Sequence, residues 1–173
     1  LSPAVLEDRE GNIWVGTALG LDRFRDAPVA VEPALRHIPA WGDVLLGAPD
    51  GDVFVGGANR IHRIPPRGVP DIVLDNGGDT EALCEGPAGV VWMVTARRLV
   101  RFHKNRSTNL PRPPSELGFN DCAVDRHGTL WLTDSGGLYR QTGSGWAFQP
   151  LPGDDGARAR KTLVAKADGS LLV

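Results

Sequence analysis

The chain has 173 residues, 41% of them hydrophobic and 23% charged, with a formal net charge of −2. That size and balance fit one globular domain and speak against a dedicated nucleic-acid binder, which carries a clear basic excess. The longest apolar run, near Gly89 to Val94, falls far short of the ~18 residues of a membrane helix, and frequent Gly (22) and Pro (14) suit short strands and turns better than long helices.

The first predicted strand is AVLED, ending at Asp8. A tight turn through Gly11 leads into a second strand, NIWVG, and a short loop leads into a third, LDRFR. A fourth, outer strand is expected in VAVEPALRHI, where Pro is tolerated because an edge strand needs no donor on its solvent side. The order then starts again with DVLLGA, DVFVG, IHRIP and DIVLD. It returns as EALCEG, VVWMV, LVRFH and a segment around TNLPRP, and then as DCAVD, TLWLT, LYRQT and a segment around WAFQPL. KTLVAK opens a fifth copy.

The copies share a frame. Turn glycines stand at Gly11, Gly51, Gly89, Gly128 and Gly169, spaced 40, 38, 39 and 41 residues apart. Three residues after each comes a large apolar side chain: Trp14, Phe54, Trp92, Trp131 and Leu172. Ten residues after it stands an aliphatic, Leu21, Ile61, Leu99 or Leu138, and twelve after it an arginine, Arg23, Arg63, Arg101 or Arg140. Self-similarity at this period, with four antiparallel strands per copy, predicts an all-β fold, a β-propeller of four-stranded blades. The expected repeats are about 1–42, 43–80, 81–119, 120–160 and 161–173, so four are complete and a fifth is begun. The indole column is expected to fill the space between neighbouring sheets. The arginine column is expected to lay its stem on a neighbour and to bond carbonyls or an acid with its guanidinium.

The stretch VLEDREGNIWVGTALGLDRF closely resembles the repeat of the two-component regulator propeller family, through Asp8, Gly11, Asn12, Ile13, Trp14, Gly16, Thr17, Gly20, Leu21, Arg23 and Phe24. The fourth copy keeps Asp125, Gly128, Trp131, Gly137, Leu138 and Arg140, while the second and third are eroded. The resemblance implies the sensor region of a membrane histidine kinase or related regulator, periplasmic or extracellular, with a small-molecule or saccharide ligand. It also implies a larger, seven-bladed ring, of which this chain, beginning at Leu1 and stopping within the fifth repeat, would be a piece. The remaining blades of the parent, or a second copy in a homodimer, would then complete it. No contact with a membrane is expected of this segment.

No enzyme, metal or cofactor signature is found. The histidines His37, His62, His103 and His127 lack metal-ligand spacing. Asp50-Gly51-Asp52 reads as a β-turn rather than a calcium loop, and Asp154-Asp155 as solvated acids. LPRPPSEL reads as an irregular edge, and Asn105-Arg106-Ser107 matches a glycosylation triplet that arises often by chance. Cys84 and Cys122 read as two small buried hydrophobes, with a disulfide as the alternative in an oxidising compartment. From Gly86 to Ser115 there is no acid but six cations, a zone that reads as a solvated face or as an attraction for an anion.

Ligand contacts are expected in the loops joining second to third strands and in those joining successive repeats. The candidates are Trp41 as a stacking platform, Arg60, Arg97 and Arg98 as donors, and Asp79, Asn120 and Asp134 as polar partners. Two other readings stay open: a protein-interaction propeller, and an enzyme like the streptogramin lyases, because propellers host many functions.

Overall fold

A computed structural model of the chain describes residues 4–17, 20–25, 30–31, 44–151, 161–166 and 168–173. The repeats become four meanders in which each strand pairs with the next. The first sheet holds β1 (Val5–Glu7), β2 (Ile13–Thr17), β3 (Gly20–Phe24) and β4 (Ala30–Val31). The second holds β5 (Val44–Gly47), β6 (Val53–Gly56), β7 (Arg60–Ile64) and β8 (Asp71–Asp75). The third holds β9 (Thr80–Gly86), β10 (Val90–Thr95), β11 (Leu99–His103) and β12 (Arg106–Leu110). The fourth holds β13 (Asp121–Val124), β14 (Leu130–Thr133), β15 (Gly137–Thr142) and β16 (Gly145–Pro150). A two-stranded pair, β17 (Val164–Ala165) and β18 (Leu171–Leu172), begins the fifth repeat.

The turn between first and second strands is built alike in four repeats. The amide of the anchor glycine donates to the carbonyl three residues back: Gly11 to Asp8 (3.1 Å), Gly51 to Ala48 (2.9 Å), Gly128 to Asp125 (2.9 Å) and Gly169 to Lys166 (2.9 Å). The glycine itself sits at φ between 76° and 91° in these turns, the left-handed region that closes a three-residue hairpin loop. The third repeat departs from this. Pro87 starts a 3-10 turn over Pro87–Gly89, and Ala88 takes the left-handed conformation as well (φ 58°).

The outer strands differ in part from expectation. β12 begins at Arg106 and ends at Leu110, so Pro111, Pro113 and Pro114 follow the strand instead of edging it. The reason is local. Lys104 and Asn105 both adopt positive φ (49° and 59°) and close a two-residue hairpin, with His103 opposite Arg106. Of the first predicted outer strand, Ala30 and Val31 pair with Arg23 and Asp22, and the rest lies outside the described residues.

The chain divides into two compact units, Leu1–Leu83 with Thr95–Arg97, and Cys84–Val94 with Arg98–Val173. In the first, Trp14 and Leu21 of the first sheet pack with Val53, Val55 and Ile64 of the second, flanked by Leu6 and Leu45. Gly47 lets the Leu6 side chain lie directly on β5. Burying an indole of ~200 Å² contributes roughly 5 kcal/mol, which makes Trp14 the anchor of this contact. In the second unit Ala123, Leu138 and Leu163 pack together, with Trp131, Leu151, Ala165 and Leu171 around them. Here the structure also settles the cysteines. Cys84 on β9 and Cys122 on β13 form a disulfide between first strands 38 residues apart, not two independent apolar side chains. The period explains the pairing: both occupy the first strand of successive repeats.

Candidate functional site

Cross-strand register explains the repeat columns. The aromatic at the third position and the arginine at the twelfth are direct partners on second and third strands: Trp14 with Arg23, Phe54 with Arg63, Trp92 with Arg101, Trp131 with Arg140. Side chains directly opposite share a face. The Arg23 guanidinium therefore lies over the Trp14 ring at 5.2 Å, and that of Arg140 over Trp131 at 5.6 Å. In the second repeat, where the aromatic is Phe54, Arg63 forks onto Asp71 instead, with Nε to Oδ1 at 3.0 Å and Nη2 to Oδ2 at 2.9 Å.

A carboxylate completes the arrangement in two repeats. Asp8 Oδ2 accepts the Trp14 indole N–H at 2.7 Å, and Asp8 Oδ1 accepts the amides of Glu10 and Asn12. Asp125 repeats this, accepting Trp131 Nε1 at 3.0 Å and the amides of His127 and Thr129. Burial works against ionisation of both acids, but the indole and turn hydrogen bonds outweigh it and hold both carboxyls below their usual range. In the sequence alone these aspartates stand as motif matches without a role. The signal was present: an Asp six residues before a Trp in the first and fourth repeats, and Ala48 six before Phe54 in the second, where acceptor and donor are both missing.

The predicted ligand residues that lie among the described ones fall at the opposite ends of the strands from these turns. In the first unit three loops are laced together. Thr80 donates its amide (3.2 Å) and hydroxyl (3.0 Å) to the Gly57 carbonyl. Thr95 Oγ1 and the Arg97 amide both donate to the Gly77 carbonyl, and the Ala96 amide donates to that of Asp79 (2.8 Å). Gly56 has no room for a side chain there, since a Cβ would overlap Thr80. This lacing brings Arg60, Asp79 and Arg97 to one loop cluster, with Asp79 and Arg97 exposed. Arg60 Nε is engaged by Asp75 Oδ1 at 3.1 Å, and that bond holds the Asp75 carboxyl below its usual range. Trp41 and His37 lie outside the described residues.

The other candidates belong to the second unit. Arg98 is half-buried at the foot of β11. Asp134, 3% exposed, is turned inward and receives Ser115 Oγ (2.7 Å), the amides of Gly136 and Gly137, and Tyr139 Oη (2.9 Å). It organises its loop with oxygens already occupied. Burial first, then the Asp134 hydrogen bond, pushes the Tyr139 phenol up. Asn120 donates its amide to the Thr133 carbonyl (2.7 Å), while its side-chain Nδ2 is buried without a partner among the described residues. Arg112 lies over the Phe119 ring at 4.9 Å.

Two clefts open at the turn ends. One, of about 250 Å³ in the first unit, is lined by Asp8, Glu10, Arg23 and Arg25 on one wall and by Val53, Ile64, Pro65 and Pro66 on the other. The second, of about 330 Å³ in the second unit, runs across Glu85, Pro87, Asp125, Arg126 and Lys166. Among the described residues no group of His, Cys, Asp and Glu is placed to hold a metal ion, and no helix is long and apolar enough to cross a membrane.

Comparison with known proteins agrees with this architecture. The family model described as two component regulator propeller matches residues 2–18, the stretch that carries the Asp8 and Trp14 pair. No curated protein sequence matches the chain. Among solved structures, virginiamycin B lyase from Staphylococcus aureus aligns over 98% of this chain and 61% of its own, with a TM-score of 0.77 at 19% identity. A structure described as streptogramin B lyase gives the same TM-score at 18% identity, with 98% and 60% covered, so the chain spans about 60% of the length of these relatives. The extracellular domain assigned to a hybrid two component system of B. thetaiotaomicron aligns at 18% identity over 86% of this chain and 21% of its own, with a TM-score of 0.63. The chain thus has the β-propeller fold, and residues 2–18 of its first repeat match the two component regulator propeller model.

Proposed function

We propose that the chain is an extracytoplasmic, non-catalytic sensing domain of a two-component regulator, and that it takes a small molecule or saccharide at the loop cluster carrying Asp79 and Arg97. The observation that carries this reading is the first repeat. It matches the regulator propeller description, and its matched residues build a working clamp of Asp8 on Trp14. The Cys84–Cys122 disulfide supports an oxidising compartment, where such bonds persist. The exposed Asp79 and Arg97 of the first unit offer a polar end with a cation, suited to an anionic or hydroxyl-rich ligand.

The test is a thermal-shift screen of glycans and small metabolites on the full sensor region, because a ligand that prefers the folded state raises its melting temperature. A hit whose shift is lost in the Arg97→Ala/Arg98→Ala double variant supports the reading. A hit indifferent to both substitutions removes these residues from the site. The likeness in fold to the lyases favours a second reading, a propeller enzyme. Virginiamycin B lyase is rendered catalytically inactive by replacement of one histidine with alanine. The described histidines of this chain, His62, His103 and His127, stand outside the loops joining second to third strands. Turnover of a streptogramin B by the purified chain would establish that alternative.

A further inference from the structure

The repeat supplies its own control for separating fold from site. A residue that recurs at one position in several copies, doing one job, belongs to the architecture. A polar residue that stands in one copy without that job needs another explanation. In the cleft of the first unit, Asp8, Trp14 and Arg23 recur as Asp125, Trp131 and Arg140, with matching contacts. They are accounted for. Glu10 and Arg25 are not.

Acids preceding the anchor glycine do turn work in other repeats. Asp50 Oδ1 accepts the Asp52 amide (3.1 Å) and Asp168 Oδ1 accepts the Ser170 amide (2.8 Å). In the first repeat that amide, Asn12, is already held by Asp8 at 2.9 Å, so the Glu10 carboxylate is released from the turn and lines the cleft. Arg25 stands fourteen residues past its glycine, where the other copies carry Pro65, His103 and Thr142. Among the described residues neither Glu10 nor Arg25 makes an ion pair, although both line the same cleft. Arg23 and Arg25 alternate along an extended chain and so share a face. Stacking over Trp14 fixes the orientation of the Arg23 fork. The facing wall of Ile64, Pro65 and Pro66 is apolar and, at its prolines, has no backbone donor.

We propose that this cleft binds a small carboxylate, received by the Arg25 and Arg23 guanidiniums, with Glu10 facing the ligand's own hydroxyl or ammonium donors and the prolines covering its carbon skeleton. A guanidinium meets a carboxylate with two parallel hydrogen bonds. At about 250 Å³ the cleft lies below the ~300 Å³ where drug-sized sites begin, which suits an occupied portion the size of one sugar ring or one amino acid. An acidic monosaccharide and an amino acid share the chemistry. The site is at the turn end of the strands, so it holds whether or not the loop cluster senses a ligand.

The experiment is an NMR titration of the full chain with millimolar sodium glucuronate, sodium glutamate and, as a neutral control, glucose, following the Trp14 indole and the Arg23 and Arg25 Nε signals. At least one carboxylate is expected to shift these signals where glucose does not. Arg25→Ala, at an exposed position outside the core, should weaken that binding about tenfold or more, and Arg97→Ala should leave it unchanged. Glucuronate alone binding identifies the sugar source. Glutamate alone binding, with loss in Glu10→Gln, identifies the amino acid source. Failure of both carboxylates, or binding indifferent to Arg25→Ala, overturns the proposal, while neither result bears on the thermal-shift screen of the loop cluster.

Discussion

The first and fourth repeats close their hairpins with a carboxylate that grips an indole, and the second and third do not. Asp8 and Asp125 each hold two turn amides and a Trp N–H. In the second repeat Ala48 and Phe54 replace the pair, and Asp50 keeps the turn alone. In the third, Gly86 faces Trp92 so closely that a Cβ would lie 3.0 Å from Nε1. The same strand meander is thus reached with and without the charged clamp. What the clamp adds is a fixed ring on which the cross-strand arginine can stack, and in the second repeat, where the indole is replaced by Phe54, Arg63 pairs with Asp71 instead.

The largest way to break this comparison is to remove a ring. Trp14→Ala should cost about 4 kcal/mol, as large-to-small core changes do, measured by urea denaturation. Trp131→Ala should cost less, because Trp131 is only partly buried although its clamp is the same. Equal losses would mean that the clamp, and not the buried area, sets the contribution of the ring. Reducing the Cys84–Cys122 bond comes next. Closing a 38-residue span constrains the unfolded chain by about 4 kcal/mol at most, with less expected where the denatured state keeps structure. Hydrogen exchange with and without reductant should show faster opening of β9 and β13, with β1 to β3 unaffected.

The carboxylates give the next effect and a pH signature. Asp8→Ala or Asp125→Ala should cost ~2 kcal/mol through lost charge-assisted bonds. Both acids have folded pKa values depressed below the ordinary 3.8. Their contribution is therefore fully present above the unfolded value and is lost as pH falls through the depressed folded values. Acid unfolding followed by Trp fluorescence should shift to higher pH in Asp8→Asn, whereas Asp50→Asn in the second repeat, without an indole to hold, should move it less.

How much of this was legible follows from the same residues. The period, the strand order and the ring column were readable because turn glycines and apolar alternation are local. The arginine column was readable as a regularity, but its partner was not. That needs the cross-strand register, which places Arg23 opposite Trp14 nine residues away. The turn-end cleft is not legible in the sequence because it draws on two repeats at once, Arg25 from one and Pro65 from the next. Asp134 is expected from sequence as a polar partner for a ligand in its loop, and only packing shows it turned inward onto Tyr139 and Ser115.

The smallest effect separates the two kinds of arginine. Replacing Arg23 by Met keeps the apolar stem and removes the charge over the indole, at a cost of ~0.5–1 kcal/mol. Arg63→Met removes a forked pair with Asp71, half-exposed on the carboxylate side, at a similar ~0.2–1 kcal/mol. The two differ in their response to salt. A pair of full charges near solvent weakens as salt screens it, so the penalty of Arg63→Met should shrink in 1 M NaCl, where screening acts over ~3 Å. A guanidinium lying on a ring that is itself buried against the next sheet exposes less of the interaction to solvent ions, so the penalty of Arg23→Met should hold. If both penalties fall together with salt, the Arg23 guanidinium is as open to solvent ions as that of Arg63, and its place over the Trp14 ring does not shield the interaction.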